Sequence, residues 1–241
     1  VLPARALAAA RAEGRAKLTA VGALSDINAA VKTAVDLGAR VLNLSFGTPA
    51  TSLTRSDPVP HIEVARYALA RDCVLVAASG NSGGTVPYYP ASLPGVIAVG
   101  AVDGFDMPTG FMSRGPHVAL CAPGVAVRSA ALEGYGVHTG TSFAAPFVAA
   151  ASALMVAHAH ARATALPPFA LRALLVAVPF RPAALARRQA QQVASALLET
   201  WRTWLLGAAH PVAVLPLLTR LPMAQLAALR RPIAGLRSMA A

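Results

Sequence analysis

Apolar and polar positions follow two rhythms along this chain. Ile27, Ala30, Val31, Ala34 and Val35 recur at the spacing of one helix face, with Ser25-Asp26 offering an N-cap and Gly38 stopping the pattern. The run Ala39 to Phe46, with Val41, Leu42 and Leu44 between Gly38 and Gly47, reads instead as a buried strand. The same alternation continues with a helix over Ile62 to Ala70, a strand over Cys73 to Ala78, and a strand over Val96 to Val102. Short strands are expected at Val118 to Cys121 and Val125 to Ser129, then a long buried helix from Phe143 to Ala159 and another from Phe169 to Val178, opened by Pro167-Pro168. Val1 to Leu24, rich in Ala and Arg, supports only a short helix or loop.

Strands that are continuously apolar and alternate with helices belong in a parallel sheet covered on both faces. The expected fold class is therefore α/β, with a mostly parallel sheet as the middle of three layers. Polar loops punctuate it at Thr48 to Pro60 and, more sharply, at Ser79-Gly80-Asn81-Ser82-Gly83-Gly84. From Arg181 the character changes to Ala, Leu and Arg, which divides the chain into a domain over 1–182 and an extension over 183–241.

Composition changes this picture little. A length of 241 residues suits one good-sized core, and much of the 56% hydrophobic content is alanine. The uncharged stretch Gly134 to Ala161 could be taken for a membrane span, but Gly140-Thr141-Ser142 and Pro146 open it and His158 and His160 close it. A membrane anchor over Thr203 to Thr219 is the lesser reading, because Pro211 and Pro216 break it. The net charge of +11 is almost all arginine and concentrates after Glu133. It permits non-specific attraction to nucleic acid or anionic lipid without marking a specific nucleic-acid site. Cys73 and Cys121 lie in apolar runs and read as buried free thiols rather than a disulfide. Phosphate loops and zinc spacings do not occur.

Chemistry enters at Thr139-Gly140-Thr141-Ser142-Phe143-Ala144-Ala145-Pro146-Phe147-Val148-Ala149. A small-residue turn sets the Ser142 hydroxyl at a helix N-terminus, where free N–H groups and the helix dipole favour negative charge. Such a position suits a serine that attacks a carbonyl. Asn81, at the carboxyl end of a predicted strand, can donate its side-chain N–H to a developing oxyanion, with the Ser142 backbone N–H as second donor.

The extended serine motif closely resembles the nucleophile motif of the subtilisin-like serine peptidases, the subtilases, and Ala77-Ala78-Ser79-Gly80-Asn81-Ser82-Gly83 resembles their oxyanion segment. Val41 to Gly47 is similar to the family's substrate-flanking strand, so Ser45, Phe46 and Gly47 are candidate substrate contacts by β-strand addition. Ala78, Ser79 and Gly80 would line the specificity pocket from the other side. The resemblance runs from Ser25 to Val178 in the right order. It implies a three-layer subtilisin-like fold lacking its N-terminal part, a peptide or protein substrate, and a secreted or periplasmic location. Calcium is common in the family, although no acidic loop identifies a site, and no cofactor is otherwise implied.

The family's Asp-Thr/Ser-Gly and His-Gly-Thr signatures are not found in this sequence. In the family order of Asp, His, Ser, both belong upstream of the helix that Ser25 opens, so the chain reads as the C-terminal portion of a catalytic domain. Removing the base from such an assembly costs about a millionfold in turnover, a magnitude known from subtilisin itself. The chain alone is therefore expected to be nearly inert. His138, four residues before Ser142, is read as a loop residue rather than a base. Two other readings remain at this stage: a non-catalytic module that binds peptides as an added strand, and a basic binder of nucleic acid or anionic membrane.

Overall fold

The chain opens as a hairpin, where the sequence suggested a helix or loop: β1 (Ala8–Arg11) pairs antiparallel with β2 (Leu18–Val21). Alanine-rich composition favours helix, but backbone pairing between the two short segments overrides that preference. The structure is a computed structural model that describes residues 1–177 apart from 2, 5, 12–17 and 132–133. The proposed extension over 183–241 lies outside the described residues.

Helix α1 (Leu24–Asp36) follows, then β3 (Val41–Leu44), β4 (Thr48–Pro49), α2 (Ile62–Leu69), β5 (Val74–Ala78), β6 (Tyr88–Tyr89) and β7 (Ile97–Val102). After these come β8 (Val118–Pro123), β9 (Val127–Ala130), β10 (Tyr135–His138), α3 (Thr141–Ala161) and α4 (Pro168–Ala177). The apolar runs assemble into a parallel four-stranded sheet of order β3-β5-β7-β8. This is the α/β arrangement expected.

Strand periodicity decides which helix each side chain meets. Val74, Val76 and Ala78 of β5 pack with Ile97 and Val99 against Ala144, Ala145, Val148 and Met155 of α3. Leu75 and Ala77 point to the opposite layer, among Val31 and Val35 of α1 and Val64 and Ala68 of α2. Burying a side chain such as Leu75, 1% exposed, contributes about 1.5–3 kcal/mol. Both cysteines are free. Cys73 donates to the Ala39 carbonyl at 2.8 Å, and burial pushes the Cys121 thiol up to about 11, so it stays protonated.

His61 is a buried imidazole in the α1–α2 layer. It stands at the head of α2 with φ 63°, a left-handed conformation that histidine tolerates better than most residues. Its Nδ1 meets Asn28 Oδ1 at 2.7 Å, its ring packs edge-on against Phe46 at 5.4 Å, and its Nε2 has no partner. With Val31, Leu44 and Leu75 it lines an apolar cavity of about 10 Å³. Burial lowers its pKa below the ordinary 6.5, so the fold holds it neutral. The unfolded chain takes up that proton at the ordinary value and thus binds more protons below it. Stability from this residue is complete above pH 6.5 and drains away as pH falls through the lowered value. Melting temperature should therefore drop on acidification, and His61→Gln should flatten that drop. His117, lowered by burial as well, should supply what slope remains.

Candidate active site

Helix α3 begins at Thr141, two residues earlier than its apolar pattern suggested, so Ser142 lies within its first turn. By length and composition α3 could cross a membrane, yet it is the helix whose buried side packs across the sheet. Gly140, just before it, has φ 155° and donates its N–H to the Gly124 carbonyl at 2.8 Å. A methyl group at Gly140 would stand 3.4 Å from Asn81 Nδ2, in ordinary contact, so it is the backbone conformation rather than space that favours glycine here.

Asn81 comes from the loop after β5, at the carboxyl end of the sheet. Its Oδ1 accepts two hydrogen bonds from Thr141, from the backbone N–H and from Oγ1, each at 3.0 Å. The Gly80 N–H in turn donates to Thr141 Oγ1 at 3.3 Å. With its oxygen held on one side, the Asn81 amide turns its NH2 toward Gly140 and the start of α3, and no hydrogen bond among the described residues engages that group. Ser142 and Asn81, predicted together, are brought together through Thr141, a motif residue to which the sequence reading gave no role.

Pro146 belongs to the body of α3 rather than to its opening turn. It lies in the second turn of α3, where its missing N–H deprives the carbonyl four residues back of a helical donor. That carbonyl belongs to Ser142. Ser45 Oγ, at the end of β3, donates to it at 2.8 Å, and Asn43 Nδ2 donates to Ser45 Oγ at 2.9 Å. The orphaned acceptor is thus satisfied by a residue 97 positions away. Ser45 was expected to face substrate, but its hydroxyl is committed to the Ser142 backbone carbonyl. Phe46 is half-buried against His61, and Gly47 is exposed.

Ala78, Ser79 and Gly80 are all buried. Ser79 is fully enclosed, its N–H donating to the Val99 carbonyl at 3.0 Å and its Oγ without a partner. An enclosed hydroxyl without a partner costs about 1–3 kcal/mol. Ser79→Ala should consequently leave the midpoint of denaturant unfolding unchanged or raise it.

A second segment braces the Asn81 loop. Ser113 N–H donates to Gly80 O, Gly83 N–H to Phe111 O and Arg114 N–H to Gly84 O, each at 2.8 Å. The buried Ser113 Oγ lies 2.9 Å from Ser82 Oγ. The Phe111 to Gly115 loop gave no sign of this in sequence, because the partners are 31 residues apart.

The described histidines occupy other places. His61 bonds Asn28, His138 stacks on Phe143 with ring centroids 5.0 Å apart, and His158 accepts from Arg162. Among the described residues no cluster of metal-ligating side chains occurs.

The parallel sheet thus presents Ser142 on the first turn of its covering helix, with the Asn81 amide clamped near it through Thr141. The sequence matches the profile of the subtilase family, peptidase S8, over residues 5–188, and the chain belongs to that family. It is 42% identical over 135 residues to the thermophilic serine proteinase of Bacillus sp. (strain AK1), covering 56% of this chain and 32% of that protein. With subtilisin BL of Lederbergia lenta it shares 38% identity over 135 residues, covering 56% of this chain and 48% of the other. Among solved structures, that of the prenylagaramide maturation protease PagA superposes with a TM-score of 0.60 at 29% identity, covering 68% of this chain and 61% of that one. The chain therefore spans about a third of one named relative and about half of the other.

Proposed function

We propose that the intact protein is a serine endopeptidase in which Ser142 attacks the peptide carbonyl. A bond forms between Ser142 Oγ and the carbonyl carbon, and the negative charge on the oxygen is met by Asn81 Nδ2 and the Ser142 backbone N–H. Collapse of this intermediate breaks the C–N bond, releases the amine and leaves an acyl-enzyme that water then hydrolyses. The proton acceptor and its orienting carboxylate are assigned to a segment outside residues 25–178, as the family pattern implies, so this chain by itself is nearly inert. The observation that carries the reading is the pair of hydrogen bonds that Thr141 donates to Asn81 Oδ1, which aims the amide at the start of α3.

The substrate is a peptide or protein, docking along Ser45, Phe46 and Gly47 on one side and Ala78, Ser79 and Gly80 on the other. Family membership supports a secreted or periplasmic location. A fluorophosphonate probe on the full-length protein containing this sequence tests the assignment. Labelling that maps to Ser142 is the expected result, and a folded full-length protein that takes no label overturns it.

One observation favours a second reading, a peptide-binding module without catalysis. Among the described residues β3 is the outer strand of the four-stranded sheet, so one edge of Val41–Leu44 has no paired strand there and suits an added one. Peptide binding by a folded full-length protein that resists the probe would support it.

A further inference from the structure

β6 holds two tyrosines whose side chains leave on opposite sides. Tyr89 packs into the α1–α2 layer of the core. Tyr88 goes the other way, and its ring occupies the space between the two segments assigned above to substrate. A methyl group on Gly47 would stand 3.2 Å from Tyr88 Cδ1 and 3.4 Å from Tyr88 Cβ. One on Gly80 would stand 2.7 Å from Tyr88 Cε2. One edge of the ring thus lies against Gly47 and the other against Gly80, so the ring bridges the gap from wall to wall. Gly80 has φ +109° and its own neighbours leave no room for a side chain, with Ser113 Oγ 2.7 Å from the same methyl position.

The backbone fixes the ring there. β6 pairs antiparallel with β4 in the register Thr48↔Tyr89 and Pro49↔Tyr88. The Ala50 N–H donates to Pro87 O at 2.9 Å, and the Ser92 N–H to Tyr88 O at 2.8 Å. Strand alternation then directs Tyr88 toward the groove for as long as Tyr89 remains in the core. This arrangement also accounts for the burial of Gly80, which the sequence placed on a pocket wall.

We propose that Tyr88 closes the specificity pocket, so that this protein accepts only glycine, alanine or serine on the acyl side of the cleaved bond. A large apolar side chain there would have to displace a ring held on both edges. The inference rests on the peptidase reading of Ser142, and it adds the substrate class.

The test takes the full-length protein and its Tyr88→Ala variant through three measurements. Plain fluorophosphonate labelling of Ser142 reports the peptidase reading alone. Matched peptide substrates with Ala or Phe at the acyl position report the pocket. Wild type should prefer Ala by roughly a hundredfold in kcat/KM, and Tyr88→Ala should reverse the order. Equal or better cleavage of the Phe peptide by wild type, or an unchanged order in the variant, overturns the proposal. Binding of p-cresol, the side chain that the variant lacks, followed by NMR shifts at residues 45–47 and 78–82, reads the pocket without catalysis. Tyr88→Ala should bind it saturably and wild type should not. No binding to a folded variant overturns the proposal even if Ser142 fails to label, whereas binding without labelling upholds the plug and sinks only the peptidase reading. Should Tyr88→Ala not fold, Tyr88→Leu retains most of the packing, and a wild-type profile indifferent to acyl-side size still overturns the proposal.

Discussion

Replacing Ser142 with alanine should abolish peptide hydrolysis by the intact protein while leaving the fold in place. The expected loss in kcat is on the order of a millionfold, the magnitude known from subtilisin when its nucleophile is removed. Stability should change by less than about 0.5 kcal/mol, because the structural tie at this residue runs through its carbonyl, which accepts from Ser45, and alanine keeps that carbonyl. Steady-state hydrolysis beside a thermal melt checks both halves. Hydrolysis surviving within a hundredfold of wild type would show that another group performs the attack.

Asn81→Ala should lower kcat by about a hundred- to a thousandfold with KM nearly unchanged, since the lost N–H donor matters only once charge develops on the carbonyl oxygen. That range too comes from subtilisin and is carried over. Alanine also removes the acceptor of the two Thr141 bonds, so loosening of the helix start is a competing explanation. Asn81→Asp separates them. Its carboxylate still accepts from Thr141, but it offers no donor and repels an oxyanion. If the donor is what counts, Asn81→Asp is at least as impaired as Asn81→Ala. Near-wild-type turnover of the aspartate variant would mean that Asn81 works as a clamp.

Much of this architecture can be read directly from residue order. The runs around Leu75 and Val99 are apolar on both faces because each is covered by helices on both sides, and that produces an unbroken signal. The hairpin β1–β2 lacked such a signal, since Ala8–Arg11 reads equally well as helix. β10 was missed because Gly136 interrupts it and its Tyr135 and Val137 face solvent, so no buried alternation marks it. The start of α1 was misassigned to a Ser25 cap, but the N-cap position is Ala23 without a side-chain bond, and Ser25 turns to Asp26.

At the site, Ser142 and Asn81 could be named from local motifs because each sits in a distinctive turn. The groups that hold them could not. Thr141 acts on a residue 60 positions away, and Ser45 on one 97 away. Tyr88 carries no local motif that marks it, since its effect depends on two glycines it meets only in the folded chain.

The proline in α3 has a consequence for how holding and cutting are linked. By withholding one N–H, Pro146 makes Ser142 the shared anchor of a helix and of the strand against which a peptide would lie. On the proposed function, a peptide lying along β3 would then be tied through one hydrogen bond to the residue that attacks it. Contacts made far from the scissile bond can then be spent on the speed of cleavage rather than on affinity, as occurs when remote binding energy is realised in the transition state. A helix with its ladder intact would have left strand and serine mechanically independent.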